Sequence, residues 1–362
     1  MAFLNHTAGY KVWIFAPYLH TDDPTLKFYY DYTQSIAEYT KVFSEINCEW
    51  EWVNITLQNL DQEIARVKNY TAKENIVLNL CDGDEINNVP GISVIHALDA
   101  NQITYTGSDS YFYQVTTSKI TMKEAFQQHG VDMPGWVKLN GHIDPKLFEK
   151  IGHPVIVKPA ISAGSMGIST KNVVSNTTEL KEVLATMKNG YKGWKLETLL
   201  AEQFIIGKEF TTFLVGSFDQ PKQIKFYQPI ERVFHPSLPE KEQFLSFERL
   251  WEAYEEESPM PDNGFLYEYA PVKSSTLVED LRELSLDAFK AVKGKGYARL
   301  DIRMDKETQR LFVLEINAQC GLSDDENYTS IGAILKASNK TFTTLIVEVL
   351  NDALLRKPIL QK

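Results

Sequence analysis

The sequence predicts an α/β protein of two or three domains whose C-terminal part has α+β character. Three observations carry that reading. The first hundred or so residues alternate short apolar runs with stretches of helical periodicity, the pattern of a mostly parallel sheet covered by helices on both faces. Near the C-terminus, "GYARLDIRMD" and "RLFVLEINAQCG" alternate polar and apolar residues around a short polar turn, "KETQR", which reads as an antiparallel hairpin. A chain of 362 residues, 43% hydrophobic and 23% charged, is also long enough to bury more than one sizeable core.

The elements follow in order. "YKVWIFAP" (10–17) reads as a strand, "PTLKFYYDYTQSIAEYTKVFSEIN" (24–47) as a helix and "CEWEWVNI" (48–55) as a strand, which makes a β-α-β start. "NIVLNL" (75–80), a helix about "GISVIHALDAN" (91–101) and the strand "QITYTG" (102–107) complete a first domain, residues 1–107. A central unit, 108–204, holds the helix "SKITMKEAFQQHG" closed by Gly130, a strand in "VDMPGWVKL", the stretch "HPVIVKPAISAGSMGIST", the helix "NTTELKEVLATMKN" and the strand "KLETLLAEQF". The C-terminal unit, 205–362, carries "KEFTTFLVGSFD", "KQIKFYQPIERVF", "FLYEYAPV", a long helix from Thr276 to Lys293, the hairpin and one last helix. Within it the polar, acidic run 235–263 is too long for a plain connection and reads as a lid.

Composition excludes several functions. A formal net charge of -11 disfavours nucleic acid, which needs a basic face to replace phosphate counterions. Cys48, Cys81 and Cys320 are scattered and odd in number, which argues against a disulfide framework or structural zinc and fits a reducing cytoplasm. The N-terminal residues lack a basic segment ahead of an apolar core, and no run of about 18 apolar residues occurs, so neither export nor a membrane span is expected.

The chemistry concentrates in three places. In "HPVIVKPAISAGSMGIST" a buried-looking strand ends at Lys158 and a loop of small residues, Gly164, Ser165 and Gly167, whose amides can approach an anion. The lysine precedes the glycines, which excludes a P-loop, and Ala163 stands where a serine-hydrolase elbow needs glycine. In the hairpin, Arg299, Asp301 and Arg303 share one face, as do Glu315 and Asn317. A turn over Lys306 to Arg310 sets Asp301 opposite Glu315 and Arg299 opposite Asn317. Opposed like charges cost roughly 0.2–1 kcal/mol, and a hard cation held by Asp, Glu and Asn compensates them; magnesium suits that donor set. The bland alternative is a polar face in which the arginines pair the acids. Third, Glu202 and Glu209 flank apolar residues that can wall a flat pocket.

These motifs, quoted as "PVIVKPA..AGSMGIS", "AEQFIIGKEFT", "ARLDIRMD" and "VLEINAQCGL", with "YTGSDS" and "SK" upstream, resemble the ATP-grasp superfamily, most closely its D-alanine:D-alanine ligase-like branch. The resemblance runs from about Asn79 to the C-terminus and implies three domains with ATP between the central and C-terminal ones. It implies that Lys119 and Lys158 contact the ATP phosphates beneath the loop Gly164, Ser165, Gly167. Glu202 with the backbone of Gln203 and Ile205 would read adenine, and Glu209 would hold the ribose. Asp301, Glu315 and Asn317 would bind two magnesium ions, with manganese able to substitute. Arg299 and the Gly321 amide would serve the oxyanion. The implied reaction joins a carboxylate to an amine through an acyl phosphate, releasing ADP and phosphate; Cys320 is expected to be a packed thiol.

Departures from the family concern the substrates. The loop that presents a glutamate to the first substrate's ammonium is replaced by "APYLHTDDPTLKFYYDY", leaving Asp22, Asp23 and Asp31 as stand-ins, and "NLCDGDEINN" replaces a His-Gly loop. Arg249 is the substitute for a lid lysine. Glu326, after Asp324 and Asp325, replaces a hydroxyl that helps bind the second substrate's carboxylate, so a cationic acceptor is expected unless the run is only a helix cap. A cell-wall D-Ala:D-Ala ligase is therefore not the expected activity. The partners expected are a small carboxylic acid and an amine or amino acid; a homodimer is compatible, and nucleic acid and membrane are not expected. The rival readings are a phosphotransferase, which would release ADP without consuming an amine, and a non-catalytic ATP sensor.

Overall fold

The computed structural model describes residues 6–22, 27, 30–85, 88–139, 143–162, 165–189, 195–250, 265–325 and 329–356. Its elements are β1 (Tyr10–Pro17), α1 (Thr33–Glu45), β2 (Glu49–Ile55), α2 (Leu60–Asn69), β3 (Glu74–Asn79), α3 (Ile92–Ala100), β4 (Thr104–Tyr105), α4 (Ser110–Thr117), α5 (Lys119–His129), β5 (Trp136–Lys138), α6 (Leu147–Ile151), β6 (Val155–Pro159), β7 (Val173–Val174), α7 (Thr177–Asn189), β8 (Leu199–Gln203), β9 (Gly207–Ser217), β10 (Lys225–Phe226), β11 (Ile230–Phe234), α8 (Phe247–Leu250), β12 (Tyr267–Pro271), α9 (Ser275–Ala291), β13 (Lys295–Asp305), β14 (Leu311–Ala318), α10 (Ser330–Ala337) and α11 (Phe342–Arg356). They form three sheets: a parallel one in the order β2-β1-β3-β4, an antiparallel one in the order β5-β8-β6-β7, and a six-stranded antiparallel one in the order β12-β11-β9-β13-β14 with β10 on β9.

The parallel sheet follows from β1, whose near-continuous apolar run is buried on both faces, as a central parallel strand requires. Alternation then divides its side chains. Val12 and Ile14 meet Tyr39, Val42 and Phe43 of α1, while Trp13 and Phe15 meet Ile64 and Val67 of α2 and Val94 and Leu98 of α3. Each such side chain is worth roughly 1.5–3 kcal/mol on transfer from water. The first cluster continues into Leu345, Ile346 and Leu350 of α11, so the two ends of the chain share a core.

One reading of the sequence is corrected. The single last helix is two, because Asn339 adopts φ 51° between α10 and α11, a left-handed conformation that ends a helix. Helix α5 buries Met122 and Phe126 with Phe210, Leu300 and Ile316 of the six-stranded sheet. Helix α4 was not anticipated; Asp109 caps it by accepting from Phe112 N.

Candidate active site

The hairpin has the register its turn length implies: Asp301 opposes Glu315 and Arg299 opposes Asn317, with a bulge after Asp301. Asn317 Nδ2 lies 3.4 Å from both Asp301 Oδ2 and Glu315 Oε1, Arg299 Nη2 lies 3.4 Å from Asp301 Oδ2, and Thr211 Oγ1 donates to Asp301 Oδ1 at 3.3 Å. These are long, loose contacts. Arg299 Nε is buried without a partner, so its guanidinium has donors left for something else. The two acids titrate in opposite directions. Burial raises Asp301, and Arg299 only partly offsets it while Glu315 adds to it. Burial would raise Glu315 too, but Lys119, Lys158 and Arg299 outweigh it and hold the carboxyl at about 2.

Helix α5 supplies the lysine that faces this pair. Lys119 Nζ donates to Ser162 O at 3.2 Å and stands 3.6 Å from Glu315 Oε2. Beyond β6, Ser165 and Gly167 both adopt positive φ (60° and 78°), folding the loop back so that Ile168 N reaches Ser165 O. Asn172 pins that loop by donating to Val157 O and Gly167 O at 2.8 and 3.0 Å. Gly164 lies outside the described residues.

Glu202 is fully buried and is a charge node. Lys158 Nζ donates to its Oε1 at 2.9 Å, and the Lys123 ammonium pairs with its Oε2, which still receives no well-directed hydrogen bond. Burial pushes Glu202 up, and Lys123 and Lys158 push it further down, so it stays ionised. Glu209 is equally committed: Arg232 takes Oε1, and Arg303 takes Oε2 through Nη2 at 2.9 Å while also donating to Ile205 O at 2.7 Å. Beside these carboxylates Ile156, Ile168, Phe204 and Phe244 form an apolar cluster, with the two phenyl rings 5.5 Å apart and edge to face. In all, six cationic and four anionic side chains meet here, a local excess of positive charge on a chain of net charge -11.

Gln319 bridges distant segments next to Gly321: its Nε2 donates to Asn79 O and its Oε1 accepts from Ser108 N, both at 2.7 Å. It ties the tail of β14 to the tails of β3 and β4, and among the described residues the nearest atom outside Gly321's own neighbours is 4.0 Å from where a Cβ would stand. Cys320 is buried, and burial pushes its thiol up to about 12. Asp82, just past β3, is exposed, and its charge reaches Tyr30 and Cys320.

The described substrate residues read from sequence each have a local partner. Asp22 is on the surface 3.3 Å from Lys27, and Asp31 accepts from Thr33 N at 3.0 Å at the start of α1. Arg249 is buried with its guanidinium on Glu242, 3.0 Å to Oε2. Of the run around Glu326, Asp324 N donates to Glu38 at 3.1 Å and Gln34 donates to Asp325 at 2.8 Å, while Thr329 and not an acid caps α10. Asp23, Glu326 and 251–264 lie outside the described residues. Lys123, Asn172, Phe244, Gln319 and Asp82 were missed. Only Lys123 left a signal, four residues after Lys119 on one helix face.

The D-ala D-ala ligase C-terminus family matches residues 126–351. The D-alanine–D-alanine ligase of Xanthomonas axonopodis pv. citri is 27% identical over 264 residues, 71% of each chain, and that of Psychrobacter sp. is 25% identical over 295 residues, 81% of this chain and 77% of the other. Among solved structures, D-alanine–D-alanine ligase from Bacillus anthracis complexed with ATP superposes with a TM-score of 0.65 at 17% identity, covering 96% of this chain and 98% of that one. The fold is that of the ATP-grasp enzymes. The chain belongs to the D-Ala–D-Ala ligase family within them, a family of ATP-dependent ligases that form carbon–nitrogen bonds.

Proposed function

We propose that the protein activates a small carboxylic acid with ATP and joins it to an amine, with amino acids as substrates. The single observation that carries this reading is the convergence of Lys119, Lys158 and Arg299 on the Asp301–Glu315 pair, two carboxylates opposed across the hairpin. Three units, 1–107, 108–204 and 205–362, are proposed, with ATP between the second and third. The triphosphate would lie against Lys119, Lys158 and the loop of Ser165 and Gly167. Adenine would enter beside Glu202 and the backbone of Gln203 and Ile205, against Phe204 and Phe244, and Glu209 would hold the ribose.

Asp301, Glu315 and Asn317 fit magnesium. Among the described residues no group of three or more His, Cys, Asp or Glu side chains gathers, and a pair of acids plus an amide is what an ion that keeps water and phosphate ligands needs. Asn317 now turns its nitrogen to the acids, so its amide must flip to offer oxygen. Two magnesium ions, or manganese in their place, are the proposed complement; when bound, the metal neutralises charge on the transferring phosphoryl group. Lys119 and Lys158 orient the phosphates, and Arg299 with the Gly321 amide donates to the oxyanion that forms as the amine attacks. Asp82, exposed past β3 with its charge reaching Cys320, would meet a substrate ammonium. The comparisons supply no support for separating the activity from that of D-alanine ligases, so D-alanine heads the amino acids to test. Incubation with ATP, magnesium and single amino acids should give amine-dependent phosphate release and a new amide mass. ADP formed with a phosphorylated product and no amide would replace this reading by a phosphotransferase.

A further inference from the structure

Lys123 is the most deeply buried cation of the site, 1% exposed, and in the proposed reading it touches neither nucleotide nor metal. Its ammonium lies between Glu202 and the backbone carbonyl of Leu314, 3.4 Å away, the residue just before Glu315. Burial lowers its pKa, and the Glu202 charge works against that. A lysine so placed is a poor structural choice, because a buried ion pair seldom outperforms a well-packed apolar side chain and the desolvation cost falls on each ion separately. The arrangement is costlier still here, since two ammoniums share one carboxylate.

We infer that Lys123 is a positioning residue that neutralises Glu202 and so leaves the Lys158 ammonium electrostatically available to the ATP phosphates. The inference rests on the proposed ATP site. Glu202 has one negative charge and two ammonium partners, Lys158 at 2.9 Å and Lys123 on the other oxygen. The node therefore carries one surplus positive charge, and of its two cations Lys158 is the one with surface to present, its side chain being 13% exposed. Without Lys123 the pair Lys158–Glu202 is neutral and self-contained, and a phosphate must compete with a buried carboxylate for that ammonium. Lys119, one helical turn earlier, is not part of the node; its partners are Ser162 and Glu315.

The test compares dissociation constants for magnesium-ATP and for adenosine, which shares the base and ribose but has no phosphate. In Lys123→Met the ATP-to-adenosine affinity ratio should fall about tenfold, equivalent to about 1.4 kcal/mol. In Lys123→Met/Glu202→Gln, which removes both charges and restores the surplus on Lys158, the ratio should return to within about threefold of the unmodified protein. A merely structural role would weaken ATP and adenosine together and show no recovery in the double variant; either result overturns the inference. Should Lys123→Met not fold, Lys123→Gln removes the same charge while keeping a donor for Leu314 O. Failure of the unmodified protein to bind ATP would instead remove the ATP site itself.

Discussion

Replacing Asp301 by Asn separates a cation ligand from a structural acid. The isostere removes one of two opposed carboxylates while keeping an acceptor for Thr211 Oγ1 at 3.3 Å. Relief of a cross-strand like-charge pair is worth roughly 0.2–1 kcal/mol, and the loss of the 3.4 Å contact with Arg299 offsets part of it. Thermal stability without ligands should therefore hold within about 1 kcal/mol, a shift of no more than roughly 2–4 °C on the scale of large domains. The raised pKa of Asp301 gives the sign. The native state holds the proton more tightly than the unfolded chain, so this group's contribution falls as pH rises from the unfolded value through the folded one. The variant should lose that slope. Turnover should fall by at least 10²-fold, the scale of one transition-state charge contact, and magnesium should no longer raise the melting temperature in the presence of ATP. Scanning calorimetry with and without magnesium-ATP, beside a phosphate-release assay, reads all three. A loss of stability well beyond 1 kcal/mol without ligands would show that Asp301 serves the fold through Arg299, and the cation argument would fail.

Other expectations follow from single contacts. Glu315, held at about 2 against an ordinary 4.5, stabilises the fold above the unfolded pKa, and that stability is lost as pH falls towards 2. Over this window Glu315→Gln should flatten the acid limb by up to about 3 kcal/mol, measured by urea titrations between pH 2 and 6. Phe244→Ala should weaken ATP binding about tenfold with little change in the rate at saturation, since it lines the slot with Phe204 and touches no reacting atom; isothermal titration checks it. Asp82→Asn should raise KM for an amino-acid substrate and leave ATP affinity unchanged. Gly107→Ala should cost about 2–4 kcal/mol in denaturant melts, because φ is +87° and a Cβ would stand 1.7 Å from Gln319 Oε1.

The hairpin was legible because its information is local. A five-residue turn and period-two alternation fix which residues face each other, and Asp301 and Glu315 met as expected. The turn after β6 was legible for the same reason, through a run of small residues in which Ser165 and Gly167 adopt positive φ. What stayed hidden depends on pairs far apart in the chain. Lys123 and Glu202 are 79 positions apart, and nothing local marks either as the other's counter-charge. Gln319 reaches back to Asn79 and Ser108 across a sheet order that the sequence alone does not give. Asp22 and Asp31 were chosen for their place in a loop, but nearby Lys27 and Thr33 satisfy them. The run 235–263 was read as a lid from its length alone. Its described part meets the loop after β6, with Ser165 Oγ donating to Leu245 O at 3.0 Å and Phe247 N to Ile168 O at 2.8 Å.

The central claim, that a carboxylate is activated by phosphorylation and then captured by an amine, is tested most directly by isotope transfer. An amino-acid substrate carrying ¹⁸O in its carboxylate is turned over with ATP and magnesium, and the released phosphate is examined by mass spectrometry. One ¹⁸O per phosphate, appearing only when amide forms, is the predicted result. Phosphate without label, or labelled acid recovered intact while ADP accumulates, would contradict the acyl-phosphate route.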